Sequence, residues 1–160
     1  MRSNEIFSRM SAGRAESFLT ELRQEAPPVA RMALAAAANA FKLRPQYLKK
    51  QPRAKQAEWM RKALARSTMV TTAEQILAEY FLDHQKDLLV EWLDCAGIAH
   101  QDGVLEEATP ECPEPAKLRA AVKQFRGGEN PERRGLLLAA FAAQSAVSWP
   151  DLEELLPESE

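Results

Sequence analysis

The sequence predicts an all-α fold, a helical bundle of about six to eight helices, on three observations. β-branched residues are sparse, and no run of residues alternates with the period of two that marks a strand. Apolar residues recur at helical spacing along the chain, and prolines and glycines punctuate these runs where helices begin or end. With 160 residues, the chain has the length of one domain, so we expect a single helical domain over residues 1–160.

The first part of the chain predicts three longer helices and one short one. The longer helices are expected over residues 3–25, 28–43 and 53–66. A kink is expected at Gly13, and Pro27 and Pro28 separate the first two helices. The second helix is rich in alanine, whose small side chain lets a neighbouring helix approach closely. Pro45 and Pro52 bound a short basic turn of helix before the third.

The longest predicted helix covers residues 72–96, and we expect it to be the central helix of the bundle. Thr71-Thr72-Ala73-Glu74 has the pattern of a capping box, and Gly97 supplies the left-handed end. The helix carries one apolar stripe and a second apolar face, which predicts neighbours on both sides. The stripe comprises Leu77, Tyr80, Phe81, Leu88, Trp92 and Cys95, and the second face Leu82, Leu89, Val90 and Leu93.

The rest of the chain predicts a proline-rich loop at about 97–115, with at most a short helical turn, and then three helices. These are expected over 115–126, over 131–145 and from 148 to near Leu156. Gly127-Gly128 ends the first of them, and Asn130 is predicted to cap the second, which starts at Pro131.

The charges are sorted along the chain. Residues 1–66 hold 14 Lys and Arg against 5 Asp and Glu, a balance of +9. Residues 67–160 hold 7 against 18, a balance of −11, which gives the net charge of −2. An asymmetry of this size steers charged partners, whether these are other molecules or the other part of the same chain.

No pattern of catalytic residues stands out, and we predict that the protein is not an enzyme and has no cofactor. The chain lacks the nucleophile elbow, the phosphate-binding glycine loop and the zinc motifs HExxH and CxxC. His84 lies on the apolar stripe, and we interpret it as structural, with its ring nitrogens bonded to neighbours. His100, with Asp102 nearby, is interpreted as part of a polar turn, although loop histidines do carry function.

Four acidic residues, Asp83, Asp87, Glu91 and Asp94, recur at helical spacing. Such a strip could bind a divalent cation, but metal sites in bundles add Glu-x-x-His motifs from other helices, which this chain lacks. We therefore predict a solvated or ion-paired strip and no metal site. Two cysteines without metal spacing, and a start without an apolar signal-peptide core, predict free thiols and a cytoplasmic protein. The most apolar stretch, 32–41, is too short to span a membrane.

The strongest functional signal is the basic segment 42–66, in which aromatic residues alternate with cations. Residues 42–62 hold eight Lys and Arg against the single acid Glu58. We predict a site for a partner protein or a nucleic acid in this segment. The predicted site residues are Lys42, Arg44, Lys49, Lys50, Arg53, Lys55, Trp59, Lys62 and Arg66.

Three interpretations of this segment remain open. The short connection at 67–71 makes antiparallel neighbours, which would place Lys55 opposite Asp83 and let the basic segment pair with the acidic region. The segment could instead bind another protein or a second copy in a homodimer through charge-complementary surfaces. Alternatively, its cations and Trp59 could bind nucleic acid without sequence preference, by gripping phosphates and stacking a base.

Overall fold

A computed structural model describes residues 1–156, and it confirms the all-α prediction. Ten α-helices and one two-stranded hairpin occur in this part of the chain. Residues 157–160, the end of the predicted acidic region, lie outside the described residues. The chain divides into two compact units, an N-terminal unit, Arg2–Tyr80, and a C-terminal unit that begins at Phe81. The expectation of one domain over residues 1–160 stays a prediction.

The N-terminal unit is built around its fifth helix. Its helices are α1 (Ser3–Arg9), α2 (Ala12–Glu25), α3 (Pro27–Ala40), α4 (Pro45–Lys49), α5 (Arg53–Leu64) and α6 (Val70–Glu79), with a 3₁₀ turn at Ser67–Met69. Helix α5 packs against α1, α2, α3 and α6, so it is the central helix of this unit. The sequence had instead predicted that residues 72–96 form the central helix of the bundle.

Large apolar side chains and small alanines share the core of this unit. Phe18 is fully buried between Phe7, with ring centroids 6.2 Å apart, and Tyr80, with ring centroids 5.8 Å apart. On the other side of α5, Ala37 and Ala63 are fully buried where α3 meets α5. The predicted burial of the alanine-rich helix is confirmed for one of its faces, since Ala33, Ala37 and Ala38 are buried whereas Ala35 is exposed.

Two predicted long helices are each divided. The first breaks at Met10-Ser11 and not at Gly13, because the Ser11 hydroxyl accepts a hydrogen bond from the Arg14 amide and so caps a new helix. The helix predicted over 72–96 begins earlier, at Val70, so the expected capping box at Thr71 does not form. It then passes into a π-helical turn at Tyr80–His84 and ends before Gln85, whose backbone is not helical.

The C-terminal unit contains four helices and a hairpin. Its elements are α7 (Lys86–Ala96), β1 (His100–Gln101), β2 (Val104–Leu105), α8 (Pro115–Arg126), α9 (Pro131–Ala142) and α10 (Pro150–Glu154). Helix α8 packs against α7, α9 and α10. The apolar stripe predicted for one central helix is therefore divided among α6, the π-helical turn and α7, whereas the predicted second face lies in the π-helical turn and α7. Gly97 ends α7 with a φ of +69°, as predicted.

A chain of buried aromatic rings forms the core of the C-terminal unit. Trp92 meets Phe125 at 5.5 Å and Phe141 at 5.9 Å between ring centroids, and Phe141 meets Trp149 at 5.3 Å. All four side chains are buried. Within residues 1–156, no helix has the length and the apolar character that crossing a membrane requires.

The buried Arg134 ties α9 to the end of α8 and to α7. Its guanidinium donates to both carboxylate oxygens of Glu91, at 2.7 and 3.0 Å, to the Phe125 carbonyl at 2.9 Å and to the Glu129 carbonyl at 2.6 Å. It passes so close to Gly128 that a Cβ there would overlap it. One side chain thus supplies a donor to the Glu129 carbonyl in the turn between α8 and α9, and a further donor to the Phe125 carbonyl, which also accepts from the Gly128 amide at 3.4 Å.

We predict that Arg134→Met lowers the free energy of unfolding by about 2 to 4 kcal/mol, because the Glu129 carbonyl loses the Arg134 donor, the Phe125 carbonyl keeps only the long bond from the Gly128 amide, and Glu91 loses its counter-ion. Urea unfolding followed by tryptophan fluorescence measures this change, since Trp92 and Trp149 lie in the same core. Arg119→Met, which removes an exposed cation from α8, serves as the control and is expected to cost less than about 0.5 kcal/mol. Equal losses of unfolding free energy in the two variants would contradict the stabilising role assigned to Arg134.

Candidate functional site

The basic segment begins where α3 ends in a tight left-handed turn. Lys42 has a φ of +53°, its amide donates to the Asn39 carbonyl at 3.3 Å, and the Leu43 amide donates to the Ala38 carbonyl at 2.8 Å. These two bonds form a Schellman motif, whose left-handed position is usually glycine. Leu43 packs against the apolar cluster that contains Ala38. The turn therefore fixes the direction in which the chain enters α4.

Helix α4 is held in place by the buried side chain of Gln56 on α5. The Gln56 amide nitrogen donates to the Leu48 carbonyl at 2.9 Å and to the Lys49 carbonyl at 3.1 Å. Its oxygen accepts a hydrogen bond from the Arg23 guanidinium. Burial lowers the pKa of Arg23, and the positive charge of Arg53 acts in the same direction. Gln56 therefore anchors a five-residue helix that is too short to be stable alone.

Two of the predicted site residues are engaged in packing. The Trp59 ring meets the Phe41 ring at 4.7 Å between centroids, edge to face, and is half-buried beside Ala37 and Ala63. The Arg66 guanidinium lies 4.1 Å from the centroid of the same Phe41 ring, and it also donates to the Ala40 carbonyl at 2.9 Å. Trp59 is therefore poorly placed to stack a base. The exposed aromatic side chain of the segment is Tyr47 on α4, 50% exposed.

Lys55 and Lys62 share one carboxylate. Their ammonium groups lie 4.0 and 3.0 Å from Glu58 on the same helix. The hydrogen bond from Lys62 lowers the pKa of Glu58, and the charges of Lys62 and Lys55 act in the same direction. These two lysines are consequently partly neutralised within α5.

Five other cations surround α4, and we refer to them as the basic surface. All five are exposed, and within residues 2–80 none of them forms an ion pair. They fall in a stretch of twelve residues wrapped around one short helix, so they lie close together. The basic surface comprises Lys42, Arg44, Lys49, Lys50 and Arg53. The predicted pairing of Lys55 with Asp83 stays a prediction.

The boundary between the two units is also a boundary in charge. Residues 2–80 carry 14 Lys and Arg against 7 Asp and Glu, a balance of +7. Residues 81–156 carry 7 against 14, a balance of −7. Each unit therefore has a potential of its own sign, in addition to the local cluster of the basic surface.

The two histidines lie in different environments, and among residues 1–156 no nucleophilic side chain is bonded to either ring. His84 is half-exposed, and within the described residues its ring makes no hydrogen bond, so the expectation that neighbours satisfy it is wrong. His100 bonds through Nε2 to Asp94, at 2.7 Å, and its Nδ1 accepts from the Gly103 amide at 3.1 Å. Asp102, the expected neighbour of His100, instead pairs with Lys86.

The acidic residues of α7 form no metal site among residues 1–156, where no three His, Cys, Asp or Glu side chains come close enough to hold an ion. Glu91 pairs with Arg134 and Asp94 with His100, whereas Asp87 is exposed. Both thiols are free. Desolvation raises the pKa of Cys95, as does the negative charge of Glu91, which disfavours the thiolate. Desolvation also raises the pKa of the Cys112 thiol.

Neither the hairpin nor the role of Gln56 was predicted from the sequence. Asp102 and Gly103 have φ values of +54° and +88°, the signature of a two-residue hairpin turn, and an Asp-Gly pair is its sequence signal. This signal was readable in the proline-rich loop. No sequence signal marked the role of Gln56, because its partners are main-chain carbonyls seven and eight residues away and an arginine thirty-three residues away.

Comparisons with protein-family models, with curated protein sequences and with solved structures give no match to this chain. The site must therefore be interpreted from its own geometry.

We predict that Gln56→Met lowers the free energy of unfolding by about 1 to 3 kcal/mol, because the Lys49 carbonyl loses the Gln56 donor and the Leu48 carbonyl keeps only backbone donors such as the Gln51 amide at 3.1 Å. Chemical denaturation measures the loss, and hydrogen exchange of the α4 amides reports whether α4 frays. Gln46→Met changes an exposed residue of α4 and serves as the control. It should leave the free energy of unfolding and the hydrogen exchange of α4 unchanged. If α4 keeps its protection in Gln56→Met, then the anchor has been misassigned.

Proposed function

We propose that this protein is a non-enzymatic helical interaction protein, and that its basic surface binds an acidic surface on a protein partner. The observation that carries the proposal is the set of five exposed cations around one anchored helix, without a carboxylate partner within residues 2–80. Complementary charge raises the rate of encounter and fixes the orientation of a complex.

Two departures from ordinary helix chemistry support this proposal. Lys42 occupies a left-handed position that favours glycine, at a cost of about 1 to 2 kcal/mol. Helix α5 starts without a side-chain cap or an acidic residue in its first turn, and places Arg53 and Lys55 at the positive end of the helix dipole. Both departures add cations at the expense of stability, which is typical of residues retained for binding.

We predict that Lys49→Glu combined with Lys50→Glu abolishes binding to an acidic polypeptide, because it removes two positive charges, adds two negative charges and so lowers the charge of the basic surface from +5 to +1. Fluorescence anisotropy with a labelled poly-glutamate peptide at low salt measures the affinity. Arg119→Glu combined with Lys123→Glu changes the net charge equally, but on α8, and serves as the matched control. Equal weakening by both pairs, or no binding by the unaltered protein, would refute the proposal.

Nucleic-acid binding is the second candidate, and Tyr47 is the observation that favours it. This ring is half-exposed on α4, between Arg44 and Lys49, where it could stack a base while the cations hold phosphates. The acidic C-terminal unit argues against this candidate, because its balance of −7 repels phosphates.

Tyr47→Ala separates the two candidates, because only a nucleic acid offers bases for stacking. If the basic surface binds nucleic acid, the substitution is expected to weaken binding of a single-stranded oligonucleotide by about 5- to 100-fold, the equivalent of one stacked base. Under the protein-partner proposal, the protein binds the oligonucleotide no more tightly than it binds poly-glutamate of equal charge. Tyr47→Ala then changes the affinity for the oligonucleotide little. Tight, Tyr47-dependent oligonucleotide binding would replace the proposal with the second candidate.

A further inference from the structure

The C-terminal unit carries an exposed acidic segment that matches the basic surface. Between the hairpin and α8, residues 106–114 contain four glutamates and no cation, and we refer to this segment as the acidic loop. All four side chains are exposed. They are Glu106, Glu107, Glu111 and Glu114.

The acidic loop is attached to the core at its middle. The carbonyl of the buried Pro110 accepts a hydrogen bond from the indole nitrogen of Trp149, at 2.9 Å. Trp149 is itself part of the chain of aromatic rings. A loop anchored in this way presents its glutamates in a limited set of positions, which lowers the entropic cost of binding.

The charges of the acidic loop are scarcely neutralised within the C-terminal unit. Glu114 lies 3.8 Å from Lys117, with both side chains more than three-quarters exposed, so this pair contributes little. Glu106, Glu107 and Glu111 form no ion pair within residues 81–156. The loop thus has the same property as the basic surface, a local excess of one sign of charge facing solvent.

We propose that the acidic partner of the basic surface is the acidic loop of a second copy of this chain, an inference that rests on the proposed function. Each copy carries one basic surface and one acidic loop, so the contact is heterologous, and further copies add head to tail unless a ring closes. Because the contact is made of exposed charges, it weakens as the Debye length falls from about 30 Å at 0.01 M salt to about 3 Å at 1 M.

Sedimentation velocity of paired variants tests this inference. Lys49→Glu with Lys50→Glu lowers the charge of the basic surface from +5 to +1, and Glu106→Lys with Glu107→Lys neutralises the acidic loop. At low salt and about 10 µM to 1 mM protein, a range suited to a few exposed ion pairs, the unaltered protein is expected to grow in size with concentration. Each variant alone is expected to sediment as a monomer.

A mixture of the two variants is expected to form a one-to-one dimer and nothing larger, because the intact loop of the first binds the intact basic surface of the second. Arg119→Glu with Lys123→Glu is the control, and it should associate as the unaltered protein does. The inference is overturned if the unaltered protein stays monomeric at low salt, if the mixture does not associate, or if association persists at 1 M salt, where the Debye length is about 3 Å.

Binding of poly-glutamate distinguishes a failure of the inference about a second copy from a failure of the proposed function. If the protein stays monomeric but binds poly-glutamate through Lys49 and Lys50, the inference that the partner is a second copy is wrong, and the basic surface binds another acidic protein. If poly-glutamate binding is also absent, both the proposed function and this inference fall.

Discussion

Polar side chains of this protein donate to main-chain carbonyls at or near the ends of its helices. A helix leaves its last carbonyls without an intrahelical donor, and residues 1–156 contain ten α-helices with such ends. Polar side chains from elsewhere in the same unit donate to several of these carbonyls or to carbonyls beside them. Asn4 donates to the Ala65 carbonyl, Gln56 to those of Leu48 and Lys49, Arg66 to that of Ala40, and Arg134 to those of Phe125 and Glu129. Three of these four donors are buried.

This way of ending helices determines what the basic surface can do. Because Gln56 satisfies the carbonyls at the end of α4, Lys49 and Lys50 need not turn back to cap their own helix and remain exposed. Their charges also lie at the negative end of the α4 dipole, which favours them. The backbone beneath the cations is fixed before any partner arrives, so binding orders side chains and not main chain, and its entropic cost is lower.

The parts of the fold that depend on local chemistry were predictable from sequence, and those that depend on distant partners were not. Proline at the first position placed the starts of the helices at Pro115 and Pro131 correctly, because its fixed φ and missing donor act locally. The capping box at Thr71 failed because a 3₁₀ turn at 67–69 leads into the helix two residues earlier than predicted, at Val70. The packing of Trp59 was not predicted, because its spacing on α5 reveals the cations beside it but not the Phe41 ring that contacts it.

The strength of the proposed contact between two copies is limited by the few charges that lie in it. Each exposed ion pair contributes at most about 1 kcal/mol, so four glutamates contribute at most about 4 kcal/mol. Burying the exposed half of the Tyr47 ring in this contact would add about 2 kcal/mol. The loss of translational and rotational freedom on association offsets part of this sum, so the Kd is no tighter than about 40 µM. The net charge of −2 adds little repulsion between copies. Association of this strength is reversible, so a partner with more closely spaced carboxylates would displace the second copy from the same five cations.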